Sequence, residues 1–125
     1  MKVSEIMNKA MVVEDDISLK EAAEIMSEKN IGSLIVMKKD SIAGIITDTD
    51  ILKNISNLSR KISQFMSKSI VTIEHNEDID NAAQLMAKYR IKRLPVIKKG
   101  VLIGILTATD LIANSDALNE AFFFE

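Results

Sequence analysis

The stretch "GIITDTDIL", residues 44–52, decides how this chain is read, because sixty positions later it recurs as "GILTATDLI", residues 104–112. Each copy is an apolar run that ends in Thr-x-Thr-Asp. Carried outward at the same offset, the match takes in Ala22, Ala23, Met26, Ile31, Leu34, Val36, Lys38, Lys39, Gly44, Ile45, Thr47, Thr49 and Asp50, each identical to its counterpart. Other positions exchange one aliphatic residue for another, as Ile25 does for Leu85 and Ile46 for Leu106. Upstream the register slips by one residue, so that Met7 matches Met66. A self-similar period of this length marks one supersecondary unit used twice. The halves run over 1–59 and 60–125. Each is marginal in size for a domain on its own, which predicts that the two pack on each other around a pseudo-twofold axis.

Within each copy the pattern predicts β-α-β-β-α. Residues 11–13 and 71–73 are short β-rich pieces. Residues 18–29 form a helix, opened by a capping box of Ser18 with Glu21 and striped by Ala22, Ala23, Ile25 and Met26. Its counterpart is a helix over 78–89, capped by Asp78. "LIVMKKDSIAGIIT" and "LPVIKKGVLIGILT" read as strand–turn–strand hairpins, the second with Gly100 in its turn. Second helices are expected over 50–55 and 110–113. "KVSEIM" and "KISQFM" read as short lead-in helices, and "NISNLSRK" as a polar connection between the copies. Pro95 cannot donate to a ladder, which predicts an edge strand or a bulge at its position.

Composition narrows the function classes. The 125 residues are 47% hydrophobic and 27% charged, with a net charge of −2. That is ordinary for a soluble globular protein and lacks the basic balance of a general nucleic-acid binder. There is no cysteine, hence no disulfide or thiolate chemistry. No run reaches the ~18 apolar residues of a membrane helix, and the N-terminus has no apolar core of signal-peptide length. A cytoplasmic location is the expectation. The lone His75 sits in a turn-like "EHNED" and is read as bland; no metal-ligand spacing, nucleophile–base set or Walker or Rossmann glycine loop is present, so no catalytic and no metal residue is assigned. Lys38–Lys39 and Lys98–Lys99 are read as solubilising hairpin tips, and Met26 and Met86 as core.

The Thr-x-Thr-Asp ending has a chemical reading. A strand ends at the first Thr and a helix opens near the Asp. Free N–H groups at a helix start suit phosphate. A threonine hydroxyl can donate to phosphate oxygen, and a carboxylate can accept both hydroxyls of a ribose diol. Thr47, Thr49 and Asp50 would form one nucleotide handle, and Thr107, Thr109 and Asp110 a second. The competing reading is that Thr and Asp merely cap a helix; the two can coexist. The copies differ in charge upstream, where "RIKRLPV" supplies Arg90, Lys92 and Arg93 against Asn30, Gly32 and Ser33 of "NIGSLIV". On their own these read equally as a solvated basic patch. One strong and one weak or empty site is expected, with the handle that shares its site with Lys92 and Arg93 left open.

With "SLKEAAEIM…NIGSLIVMKKDSIAGIITDTDIL" followed by "DIDNAAQLM…RIKRLPVIKKGVLIGILTATDLI", the chain resembles a tandem pair of CBS (cystathionine β-synthase) domains, a Bateman module, over nearly its whole length. The resemblance implies an α/β (α+β) fold of two β-α-β-β-α repeats packed sheet to sheet, commonly dimerising. It implies adenosine-containing ligands (AMP, ADP, ATP or S-adenosylmethionine) in clefts between the repeats, with the Thr and Asp positions on phosphate and ribose. The resemblance also implies that Lys92 and Arg93 are candidate phosphate ligands, Arg93 through two parallel N–H contacts. The adenine would lie near Met11, Val12 and Val13 and near Thr72 and Ile73. The function read from this is a stand-alone regulatory module. It has no obligatory cofactor, signals in trans to an effector protein, and belongs to no enzyme class. A structural or oligomerisation scaffold with vestigial sites is the alternative, and weak nucleic-acid binding a third. The tail "LNEAFFFE", with Leu118 and residues 122–124, is assigned to a homodimer contact, with intramolecular packing and then disorder as the alternatives.

Overall fold

The computed structural model describes residues 1–114; the expected docking of Leu118 and of Phe122 to Phe124 lies outside the described residues. Two three-stranded sheets are built by the two copies in the same way. In the first copy β1 (Val12–Glu14) runs parallel to β2 (Ser33–Lys38), and β2 pairs antiparallel with β3 (Ser41–Thr47). In the second, β4 (Ile73–Glu74) is parallel to β5 (Arg93–Lys98), and β5 is antiparallel to β6 (Val101–Thr107). The crossovers are α2 (Leu19–Lys29) and α4 (Ile79–Tyr89), and α3 (Asp48–Lys53) and α5 (Ala108–Ala113) follow the hairpins. The lead-ins are α1 (Val3–Ile6) and a 3-10 turn, Ile62–Gln64; a second 3-10 turn, Ile55–Asn57, interrupts the connection between the copies.

The capping chemistry acts as expected at α2, where Ser18 accepts from Glu21 N–H and Glu21 reaches back to the Ser18 backbone. At α4 the Asp78 side chain accepts from Asp80 N–H. Both helices stop at a left-handed residue, Asn30 (φ 54°) and Arg90 (φ 54°). That conformation is readily adopted by Asn and is costly for Arg.

Three expectations are corrected. The helices after the hairpins begin at Asp48 and Ala108, two residues before the expected starts at Asp50 and Asp110, because Thr47 and Thr107 are the N-caps. The first strands are Val12–Glu14 and Ile73–Glu74 rather than 11–13 and 71–73. Pro95 lies neither on an edge strand nor at the bulge: β5 is the middle strand, and its register shift falls between Val96 and Ile97. The shorter β4 and the position of Pro95 have one cause. Ile35, the counterpart of Pro95, donates its N–H to Met11 O at 2.9 Å. Proline has no N–H to give, so β4 pairs only with Val96 and Ile97 and is one residue shorter than β1. The middle strand tolerates Pro95 because β4 no longer extends alongside it.

The chain divides into two compact units whose boundaries cross the sequence repeat. Among the described residues, one unit joins Met1–Ala10 to residues 71–114, and the other is Met11–Ile70. Each lead-in therefore packs with the body of the other copy. The Met11–Ile70 core consists of Leu19, Ala22, Met26, Leu34, Val36, Ile46 and Ile51, and it is completed by Ile62, fully buried. The other core, of Ile73, Ala82, Met86, Leu94, Val96 and Leu106, is completed by Val3, also fully buried. Backbone bonds secure each lead-in: Ile62 N–H to Ile17 O, and Ser67 and Ile45 exchanging both N–H groups in one unit; Val3 N–H to Glu77 O, and Asn8 and Ile105 exchanging both in the other. Gly44 and Gly104 sit where these segments cross the sheets. A Cβ on Gly44 would lie 2.7 Å from Ser67 O, and one on Gly104 2.8 Å from Asn8 O. These glycines recur because of space.

Candidate ligand-binding site

Each Thr-x-Thr-Asp turn is a reciprocal cap. Asp50 N–H donates to Thr47 Oγ1 at 3.3 Å, while Asp50 Oδ2 accepts from Thr47 N–H at 2.9 Å and from Thr47 Oγ1 at 3.0 Å. In the second turn the corresponding distances are 3.2, 2.8 and 2.8 Å between Thr107 and Asp110. The hydroxyl protons of Thr47 and Thr107 are thus committed to their own aspartates, so the threonines left to donate outward are the exposed Thr49 and Thr109. Asn54 and Asn114 brace the helices by donating from Nδ2 to Asp50 O and Asp110 O, both at 2.8 Å.

The two turns differ in what surrounds the carboxylate. In the first, Asp48 Oδ1 accepts from Thr49 N–H at 2.8 Å, and the flanking backbone belongs to Gly32, whose carbonyl accepts from Asp48 N–H at 3.0 Å, and to Ser33, paired with Thr47. In the second, Ala108 replaces Asp48, Lys92 O accepts from Ala108 N–H at 2.8 Å, and Arg93 pairs with Thr107. Within one unit, the backbone of Lys92 and Arg93 runs beside Thr107 and Ala108. Lys92 is exposed and Arg93 half-buried, and neither forms an ion pair with a described residue. The sequence at the first turn and its flanking strand thus carries Asp48 and Asp50 with Gly32 and Ser33, and that at the second carries Asp110 with Lys92 and Arg93.

The first strands are not brought to these turns within either unit. β1 and β3 lie on opposite sides of β2, and β4 and β6 on opposite sides of β5, about two strand spacings, ~10 Å, apart. Met11 and Val13 pack on the core and Ile73 is only 4% exposed, whereas Val12 is 48% exposed. Thr72 and Ile73 instead border an open groove of about 500 Å³ with Glu74, Glu77, Asn81 and Lys88. Arg90 sits at the C-terminus of α4, its N–H on Met86 O.

One participant has no counterpart in the sequence reading. Asn8 Nδ2 lies 2.9 Å from both carboxylate oxygens of Asp110. The slipped match of Met7 to Met66 places Ser67 at the equivalent point of the other unit, where no side chain among the described residues reaches Asp50 Oδ1. Among the described residues no cluster of His, Cys, Asp and Glu could hold a metal ion, and no helix is long and apolar enough to cross a membrane.

The CBS-domain family model matches residues 3–57 and 62–116. The chain belongs to the CBS-domain family. It is 33% identical over 101 residues to the CBS domain-containing protein YhcV of Bacillus subtilis, covering 78% of this chain and 72% of YhcV. It is 38% identical over 112 residues to a homoserine O-acetyltransferase of Methanohalobium evestigatum, matching 87% of this chain but only 23% of that enzyme. Among solved structures, the CBS-domain pair of protein MJ0100, crystallised with 5′-methylthioadenosine and S-adenosyl-L-methionine, matches with a TM-score of 0.83 and 31% identity over 89% of this chain and 92% of that one. The CBS pair here is thus a mixed α/β fold of two three-stranded sheets with helices.

Proposed function

We propose that this CBS pair is a regulatory module that binds an adenosine-containing ligand (AMP, ADP, ATP or S-adenosylmethionine) through its Thr-x-Thr-Asp turns, without catalysing a reaction. The observation that carries the reading is the duplicated turn in which the cap bonds engage Oδ2 of each aspartate and leave Oδ1 out of the cap. A carboxylate so held can accept a ribose hydroxyl without losing its structural bond. The outward hydroxyls of Thr49 and Thr109, with Lys92 and Arg93 beside the second turn, supply the phosphate contacts. The charge difference makes the Thr107–Asp110 turn the one for a phosphate-bearing ligand, and the anionic Asp48–Asp50 turn the weaker one for phosphate. The adenosyl ligands of the MJ0100 pair are of the class this chemistry selects. Binding acts by shifting populations among arrangements of the pair or of a homodimer, and the shift is bounded by the ligand's differential affinity for them. An effector protein in trans reads the result in the cytoplasm.

The scaffold reading has one observation in its favour: the caps alone account for every hydrogen bond that the Thr47 and Thr107 side chains make. Thermal unfolding separates the two. A ligand at about 100 times its dissociation constant adds roughly 2.7 kcal/mol, or about 10 °C for a chain of this size. A selective rise with one of AMP, ADP, ATP, S-adenosylmethionine or 5′-methylthioadenosine is expected. A flat panel on nucleotide-free protein would favour the scaffold.

A further inference from the structure

We infer that Asn8 is an intramolecular competitor for the ligand at Asp110, so that the lead-in segment sets the affinity of the second turn. This rests on the reading that Asp110 receives a ribose diol. The amide nitrogen of Asn8 sits 2.9 Å from Oδ1 and 2.9 Å from Oδ2 of Asp110. That position straddles the outer edge of the carboxylate, where a diol's two hydroxyls would have to arrive. Oδ2 already accepts from Thr107 N–H and Oγ1, so the bond to Asn8 engages the oxygen that the cap leaves open. Asn8 is held there by its own backbone, which exchanges both hydrogen bonds with Ile105 at 2.9 Å. Ser67 has the same backbone tie to Ile45, but its side chain makes no bond to Asp50. The difference between the turns is therefore one side chain on an otherwise equivalent frame.

The consequence is a binding-competent fraction smaller than one. Ligand engages Asp110 only when Asn8 swings away, and apparent affinity falls by that fraction. The second turn thus combines the stronger phosphate contacts with an occupied carboxylate. It discriminates by requiring the ligand to displace Asn8, and ligand binding in turn frees the Asn8 side chain from α5.

The test uses the full chain and titration calorimetry with AMP and 5′-methylthioadenosine as probes, in an Asp50→Asn background that leaves Asp110 as the carboxylate available to a ribose. Asn8→Ala, and Asn8→Ser as the residue found at the equivalent point, both keep the backbone pair with Ile105. Each is expected to tighten AMP binding, by up to about tenfold if the bond to Asn8 is closed nine-tenths of the time. The reciprocal Ser67→Asn, in an Asp110→Asn background, is expected to weaken binding at Asp50. Unchanged or weaker affinity in both Asn8 variants, while Asp110→Asn still abolishes binding, would overturn the competitor role and leave the ribose reading intact. Binding of neither probe to any form, or binding indifferent to Asp110→Asn, would remove the ribose reading and the competitor with it.

Discussion

Gly44→Ala tests whether the lead-in of the second copy is anchored on the sheet of the first. The new Cβ would meet Met66 Sδ at 2.6 Å and the backbone oxygen of Ser67 at 2.7 Å. The methionine can rotate; the carbonyl cannot, because Ser67 and Ile45 exchange hydrogen bonds of 2.9 and 3.0 Å. Reaching an ordinary contact requires the segment to retreat by roughly 0.7 Å, which stretches both bonds past the length at which they count as hydrogen bonds. Two such bonds contribute about 1 kcal/mol each, and overpacking a tight site costs about 1–3 kcal/mol. Relaxation of Met66 offsets part of this, so a loss of about 2–4 kcal/mol is expected. Near 4 °C per kcal/mol for this length, the melting temperature should drop by about 8–15 °C. Circular dichroism melts and urea midpoints measure it, with amide exchange at Ile45 and Ser67 reporting the bonds directly. Gly100→Ala is the control: φ there is +76° and nothing lies within 4 Å of the added atom, so only torsional strain, about 1 kcal/mol, is introduced. A Gly44→Ala protein within 0.5 kcal/mol of wild type, or with unchanged exchange at Ile45, would refute the crossing.

Other outcomes follow from the same contacts. Ile62→Ala empties a fully buried position in the Met11–Ile70 core and should cost about 2–5 kcal/mol in urea unfolding. Arg90→Asn places the residue of the first copy at a left-handed position with the same φ of 54°, and should raise stability by up to about 1 kcal/mol. Thr107→Ala should cost about 1 kcal/mol of stability through the lost cap. Thr109→Ala should leave the melting temperature nearly unchanged and weaken binding of a phosphate-bearing ligand, as calorimetry would report.

Much of this architecture could be read from local pattern. The Ser18–Glu21 box, the Asp78 cap and the two hairpins are decided by residues within four positions of one another, where capping and turn chemistry act. What could not be read depends on distant chain. Nothing in "KVSEIM" says which body Val3 will enter, so the exchange of lead-ins was invisible, and with it the reach of Asn8 to Asp110. The helix starts were misplaced for a different reason. Thr and Asp are both good caps, and only the geometry shows Thr47 taking the cap and Asp50 the reciprocal position three residues on. The missing N–H of Pro95 predicts an edge strand or a bulge, whereas the structure accommodates it on a middle strand beside a shortened β4. The Thr-x-Thr-Asp turns were legible as a pair, but the internal commitment of the Thr47 and Thr107 hydroxyls was not, since it depends on a rotamer.

The most direct test of ligand sensing is titration calorimetry of AMP and S-adenosylmethionine against wild type, Asp50→Asn, Asp110→Asn and the double variant. Asparagine can still accept Thr47 or Thr107 N–H and so keep the cap, but it presents a donor where the carboxylate presents its second acceptor. The account predicts that the wild type binds at least one ligand, that Asp110→Asn removes the tighter phosphate-dependent site, and that the double variant binds nothing while retaining its fold. Binding that survives in the double variant, or a wild type that binds neither ligand, would contradict it.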